Sequence, residues 1–81
     1  MHGKVKLFAS LREVAGCSEI DWELPDSATV ETLVTHLRNR IPGLDEWVDR
    51  VWIAVNHRYA TLEIMLQDGD EVALFPPVSG G

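Results

Sequence analysis

A chain of 81 residues allows one small domain, which buries only about 60–65% of the surface its unfolded form exposes and leaves little room for a deep, enclosed active site. Hydrophobic residues at 46% and charged residues at 25% are ordinary globular values and argue against disorder. Thirteen acidic against seven basic residues give a formal charge of −6, so the basic footprint of a nucleic-acid binder is missing, and the acidity suits a basic protein partner or plain solubility.

Lys4 to Ser10 reads as a strand with Val5, Leu7 and Ala9 on one side and Lys4, Lys6 and Phe8 on the other. Phe8 is the anomaly, an aromatic beside two lysines on the polar side. Leu11 to Gly16 predicts a single helical turn stopped by glycine. Glu19 to Leu24 alternates strictly, with Ile20, Trp22 and Leu24 toward the core and Glu19, Asp21 and Glu23 toward water. The two strands predict an antiparallel hairpin.

Pro25-Asp26-Ser27 is a break, and Thr29 is a candidate N-cap. Val30, Leu33, Val34, Leu37 and Ile41 then recur at helical spacing within a stripe about 100° wide. Glu31 near the start and Arg38 and Arg40 near the end complement the helix dipole, and Pro42-Gly43 ends the helix. Leu44 to Arg50 is ambiguous, a short turn of helix at most. Val51 to Val55 is apolar and rich in β-branched residues, which predicts a strand buried on both faces. Asn56 to Tyr59 has turn character, with a short edge strand expected around Ala60 to Leu62. Gln67-Asp68-Gly69-Asp70 is a turn signal, and Glu71 to Phe75 is the last strand. One helix across four or five strands is a two-layer α+β domain. A lone amphipathic helix between strand pairs suggests the ubiquitin-like β-grasp. The expected division is a domain over residues 1–75 and a flexible tail over 76–81.

Other chemistry-bearing residues give little. Cys17 is the single cysteine, so no internal disulfide is available and a reducing cytoplasm is the expected location. A packed cysteine is favoured over a reactive one, because no basic group clearly lowers its pKa. His2, His36 and His57 have no metal-ligand spacing, and no metal is expected. Trp22 and Trp52 fit core positions; Trp47 fits either the core or an interface. The start Met1-His2-Gly3-Lys4 is not read as a signal peptide, and no apolar stretch is long enough to cross a membrane. No Ser/His/Asp set or carboxylate pair suggests an autonomous catalyst.

The tail is more informative. After Glu71 no side chain is charged, and the sequence runs Val72-Ala73-Leu74-Phe75-Pro76-Pro77-Val78-Ser79-Gly80-Gly81. Pro76 and Pro77 end the strand and stiffen its exit, and the six residues from Pro76 reach roughly 20 Å. The Gly81 carboxylate, with an ordinary pKa of roughly 3.3–3.7, is ionised at neutral pH and is a poor electrophile until activated, most simply as an acyl-adenylate. Without Cβ, glycine threads a narrow channel and approaches a nucleotide closely.

The run Asp68-Gly69-Asp70-Glu71-Val72 to Phe75-Pro76-Pro77-Val78-Ser79-Gly80-Gly81, the opening Phe8-Ala9-Ser10-Leu11-Arg12-Glu13 with Ala15-Gly16, and Ala54-Val55-Asn56 together resemble the MoaD family, the small subunits of molybdopterin synthase. The resemblance implies a ubiquitin-like sulfur carrier that holds no permanent cofactor. A MoeB-type, E1-like enzyme adenylates the terminal glycine with ATP, and a sulfur donor converts the acyl-adenylate to a thiocarboxylate. The carrier then docks on a MoaE-type large subunit, in a heterotetramer, and its sulfur builds the dithiolene of molybdopterin from cyclic pyranopterin monophosphate. Carried onto this chain, Gly81 is the sulfur-bearing terminus and Gly80 its slender neighbour. Phe8 and Phe75 match interface aromatics, and Pro76, Pro77 and Val78 belong to the arm that enters the partner. The chain is then a non-catalytic subunit, with neither nucleic acid nor membrane as partner. The alternatives are a carrier for thiamin thiazole or tRNA thiolation, a protein modifier conjugated through Gly81, or a binding module with an inert tail.

Overall fold

The computed structural model describes residues 1–47 and 50–76. Five strands, β1 (His2–Leu7), β2 (Glu19–Glu23), β3 (Trp52–Val55), β4 (Arg58–Tyr59) and β5 (Glu71–Phe75), form one sheet in the order β2-β1-β5-β3-β4. The β1–β2 hairpin is antiparallel, the central β1–β5 pair is parallel, and β3 pairs antiparallel with both β5 and β4. Helix α1 (Ser10–Ala15) follows β1, and α2 (Val30–Arg40) leads into a 3-10 turn at Pro42–Glu46. This is the mixed-sheet β-grasp that the element order suggests.

Helix α2 covers one face of the sheet. Its Val30, Leu33, Val34 and Leu37 are buried with Val5, Leu7, Ile53, Val72 and Leu74 from three strands, each contributing about 1.5–3 kcal/mol of apolar burial. Its first-turn amides all find acceptors. Val30 N donates to Ile64 O (2.9 Å) and Glu31 N to Leu62 O (3.0 Å), while Thr32 N donates to Thr29 Oγ1 (3.3 Å) in a capping box. The loop carrying Leu62 and Ile64 is thus clamped to the start of the helix. At the other end Ile41 N donates to Leu37 O (2.8 Å). Pro42, with no amide to place, starts the 3-10 turn.

Gly3 stands opposite Trp22 in the β1–β2 register. A Cβ on Gly3 would collide with the Asp70 carbonyl oxygen and the Trp22 ring. The indole of Trp22, only 2% exposed, therefore closes the core by lying where a side chain would otherwise be.

Several expectations need correction. β1 begins at His2 and ends at Leu7, because the chain leaves the sheet at Phe8 to enter α1. β3 is covered on one face only. Trp52 is 50% exposed, since no described element is layered on the sheet opposite α2, and an all-apolar run conceals that alternation. The edge strand lies at Arg58–Tyr59 rather than at Ala60 to Leu62, because Asn56 and His57, with φ of 50° and 72°, complete a two-residue hairpin turn sooner. Cys17 is exposed rather than packed: it follows the left-handed stop at Gly16, where the chain crosses the surface to β2. Trp47 is half-buried against the core, with the Arg50 guanidinium 5.4 Å from its ring centroid.

Candidate functional site

β5 delivers the chain to Phe75 and half-buried Pro76 at the end of the central parallel pair. Pro77, Val78, Gly80 and Gly81, expected to form the arm and its reactive terminus, lie outside the described residues. The described part of the site is the surface at the root of that arm.

That surface is a row of aromatics on the open face of the sheet. Leu7 pairs with Leu74, so Phe8 comes to lie beside Phe75, and Phe8 N donates to Leu74 O (3.3 Å). The two rings stack with centroids 4.6 Å apart and planes at 11°. Trp52 stands directly opposite Phe75, and Tyr59 meets Trp52 edge-on at 5.4 Å. Phe8 is 39% and Tyr59 77% exposed. The parallel β1–β5 register therefore brings together the two aromatics singled out in the sequence, 67 positions apart, and adds two that were not. The residue pattern alone puts Trp52 in the core and Tyr59 in a turn. Only the strand register could have found them.

Below the rings, Ala54 and Ala73 pair across β3 and β5 and form the floor of a shallow depression of about 340 Å³. Phe8, Phe75 and Tyr59 wall it. The Lys6–Glu71 ion pair, 3.5 Å apart, closes the side toward β1. Phe8 is presented by a tight turn in which Leu11 N donates to Phe8 O (3.1 Å). Ala9 in that turn has φ 52° and ψ −128°, a conformation that favours glycine. The alanine stores strain of order 1–3 kcal/mol next to the site.

The Asp68-Gly69-Asp70-Glu71 run proves architectural. His2 N donates to Asp68 Oδ1 (2.7 Å), and Gly69 turns with φ 87°. Asp70, 8% exposed, accepts from Asn56 Nδ2 (2.8 Å) and Gln67 N (2.7 Å). Asn56 Oδ1 in turn accepts from Glu71 N (3.0 Å). These bonds fix the β3–β4 turn to the start of β5 and so set the register that aligns Trp52 with Phe75.

The other half of the open face is charged. Lys4 Nζ lies 2.8 Å from Asp21 and 3.1 Å from Glu19. The hydrogen bond to Asp21, with the charges of both carboxylates, raises the Lys4 pKa, and the same bond lowers that of Asp21. Among the described residues no group of His, Cys, Asp and Glu could hold a metal ion, and no helix is long and apolar enough to cross a membrane.

Residues 5–81 match the model of the ThiS family. The chain belongs to the ThiS family. Among its relatives, the molybdopterin synthase sulfur carrier subunit of Chlamydomonas reinhardtii is 42% identical, with all of both chains covered. The crystal structure of SAMP1 from Haloferax volcanii superposes with a TM-score of 0.91 at 36% identity over all of both chains. A chain from a protein-protein complex of subunits 1 and 2 of the molybdopterin-converting factor from Helicobacter pylori gives a TM-score of 0.73 at 27% identity, again over all of both chains. The aromatic row of this ThiS-family chain thus lies on a fold that at least one relative uses in a two-protein complex.

Proposed function

We propose that this chain is the sulfur carrier subunit of a molybdopterin synthase. Its aromatic row supports the reading most directly. Phe8 and Phe75 stack where β5 ends, on a face that no described element covers. Aromatic side chains of this size are common anchors of protein interfaces. A partner that covers them holds the tail's root and aims the tail into its own active site.

The chemistry follows from the terminus. A carboxylate oxygen of Gly81 attacks the α-phosphorus of ATP on a MoeB-type, E1-like partner and releases pyrophosphate. A sulfur donor displaces AMP from the acyl-adenylate and leaves a thiocarboxylate. On a MoaE-type large subunit, in a heterotetramer, the sulfur passes to cyclic pyranopterin monophosphate. The domain supplies binding and presentation, while the larger partners supply the catalytic groups. The exposed free thiol of Cys17 suits the reducing cytoplasm.

Intact-mass measurement after incubation with the activating partner, ATP and a sulfur donor tests this reading. One oxygen-to-sulfur replacement at Gly81 is expected; an unchanged mass overturns it. A second reading, conjugation to target lysines through Gly81, is favoured by 38% identity to small archaeal modifier protein 1 of Haloferax volcanii. It predicts adducts of higher mass on blots of cell extracts. The chain itself offers few acceptors, since Lys4 is held by Glu19 and Asp21, and Lys6 by Glu71.

A further inference from the structure

A second apolar surface lies around the sheet edge from the aromatic row. Between α2 and the β3–β4 edge runs an open groove of about 990 Å³. Val51, Trp52, Tyr59 and Leu62 line it, and the last three are exposed. Tyr59 also walls the depression at the root of the tail, so the two surfaces are continuous around β4.

The groove is built before anything binds. Leu62 O accepts from Glu31 N at the start of α2 (3.0 Å), and Ala60 N donates to Ile53 O (2.9 Å), so backbone bonds hold the outer wall at both ends. A preformed wall lowers the ordering that binding would otherwise require. Its rim is acidic. Neither Glu31 nor Glu63 takes part in an ion pair among the described residues. A hydrogen bond from Thr61 holds the Glu63 carboxyl below its usual pKa and therefore ionised. The groove's own cation, Arg38, is engaged by Asp45 at 2.7 Å.

We infer that this groove takes an apolar segment of the large subunit flanked by a lysine or arginine. Such a segment would wrap the β4 edge while Phe8 and Phe75 are covered on the open face. The inference rests on the proposed carrier function and deepens it by naming the chemistry of the partner. An open groove fits a length of chain better than an enclosed small molecule, and an unpaired acidic rim selects a basic flank.

Titration calorimetry of the full chain with its purified large subunit, at low and raised salt, tests the groove. Leu62→Asp is expected to raise Kd about tenfold or more. Glu31→Gln with Glu63→Lys is expected to raise it about three- to tenfold and to flatten its salt dependence. Thermal melts accompany both. If Leu62→Asp lowers the melting temperature, the double variant at exposed positions decides alone. ATP-dependent loading of Gly81 by the activating partner should persist in each. A Kd within about twofold of the parent for the deciding variants, with the parent itself binding, overturns the groove and spares the carrier function. A parent chain that does not bind the large subunit overturns both.

Discussion

The open face of the sheet divides into two halves that meet water in opposite ways. Across β1 and β2, Lys4 answers Glu19 and Asp21, and His2 lies 3.3 Å from Glu23. The chain satisfies this half by itself. Across β5, β3 and β4 the same face carries Phe75, Trp52 and Tyr59, with Phe8 folded in beside them. Here rings contact one another and still leave Phe8 39% and Trp52 50% exposed. Both halves belong to one sheet and one layer. What separates them is whether the chain contains the partner for its own side chains. Among the described residues the aromatic half lacks one, and it is the half in which β5 ends.

The largest expected effect comes from the tail. Deleting Gly81 should abolish sulfur loading and molybdopterin formation while the melting temperature stays within about 2 °C of the parent, because a glycine has no side chain and its loss removes no apolar burial. A deletion that also unfolds the domain would show that the terminus serves the fold. Next is Gly3→Ala, on the core face of the strand pair that carries the charged half. Its methyl must displace the Asp70 carbonyl or the Trp22 ring, so urea unfolding should report a loss of about 3 kcal/mol, the upper end of overpacking. A loss below about 0.5 kcal/mol would mean the strand pair has slack.

Phe8→Ser should divide the two roles most sharply. It should weaken large-subunit binding about tenfold or more and cost only about 1–2 kcal/mol of stability, since the ring is partly covered by its stack on Phe75 but lies outside the core. The opposite pattern would make the stack a core element and the comparison false. The smallest effect belongs to the Lys4 cluster. The folded-state pKa of Asp21 lies below its ordinary value, so its contribution to stability is present above about pH 4 and fades as pH falls toward the folded value. Lys4 is raised, so its contribution holds below its ordinary pKa and is lost as pH climbs beyond it. Both groups are exposed and screened. Asp21→Asn should thus leave the melting temperature nearly unchanged at pH 7 and reduce its dependence on acid pH. A large shift at neutral pH would show that the charged half supports the core.

Much of the fold was legible in the residues. The 3.6 period of Val30, Leu33, Val34 and Leu37 places α2 and its buried stripe, the capping role of Thr29 follows from its type and position, and strict alternation from Glu19 to Leu24 defines β2. Phe8 was visible as an anomaly because it broke an alternation. Trp52 was not, because in Val51 to Val55 every residue is apolar and period two leaves no mark. Nor did Cys17 reveal its exposure, since a small thiol beside a glycine stop is compatible with either side of the surface. The Asp68 to Glu71 run signalled a turn, but its hydrogen bonds to His2 and Asn56 cross the chain and have no local signature.

By itself the sequence determined the order and type of the elements, the neutral Pro-Pro to Gly-Gly run and the family those motifs resemble. These depend on local periodicity, the lack of charge after Glu71 and backbone restriction at proline and glycine. Only the tertiary structure decided which apolar residues stay uncovered. Exposure depends on what lies across a face, and among the described elements one helix layer leaves the far side of the sheet open. The parallel pairing of the first and last strands then sets Phe8 against Phe75 and carries the aromatic row out to Tyr59, at the mouth of the groove.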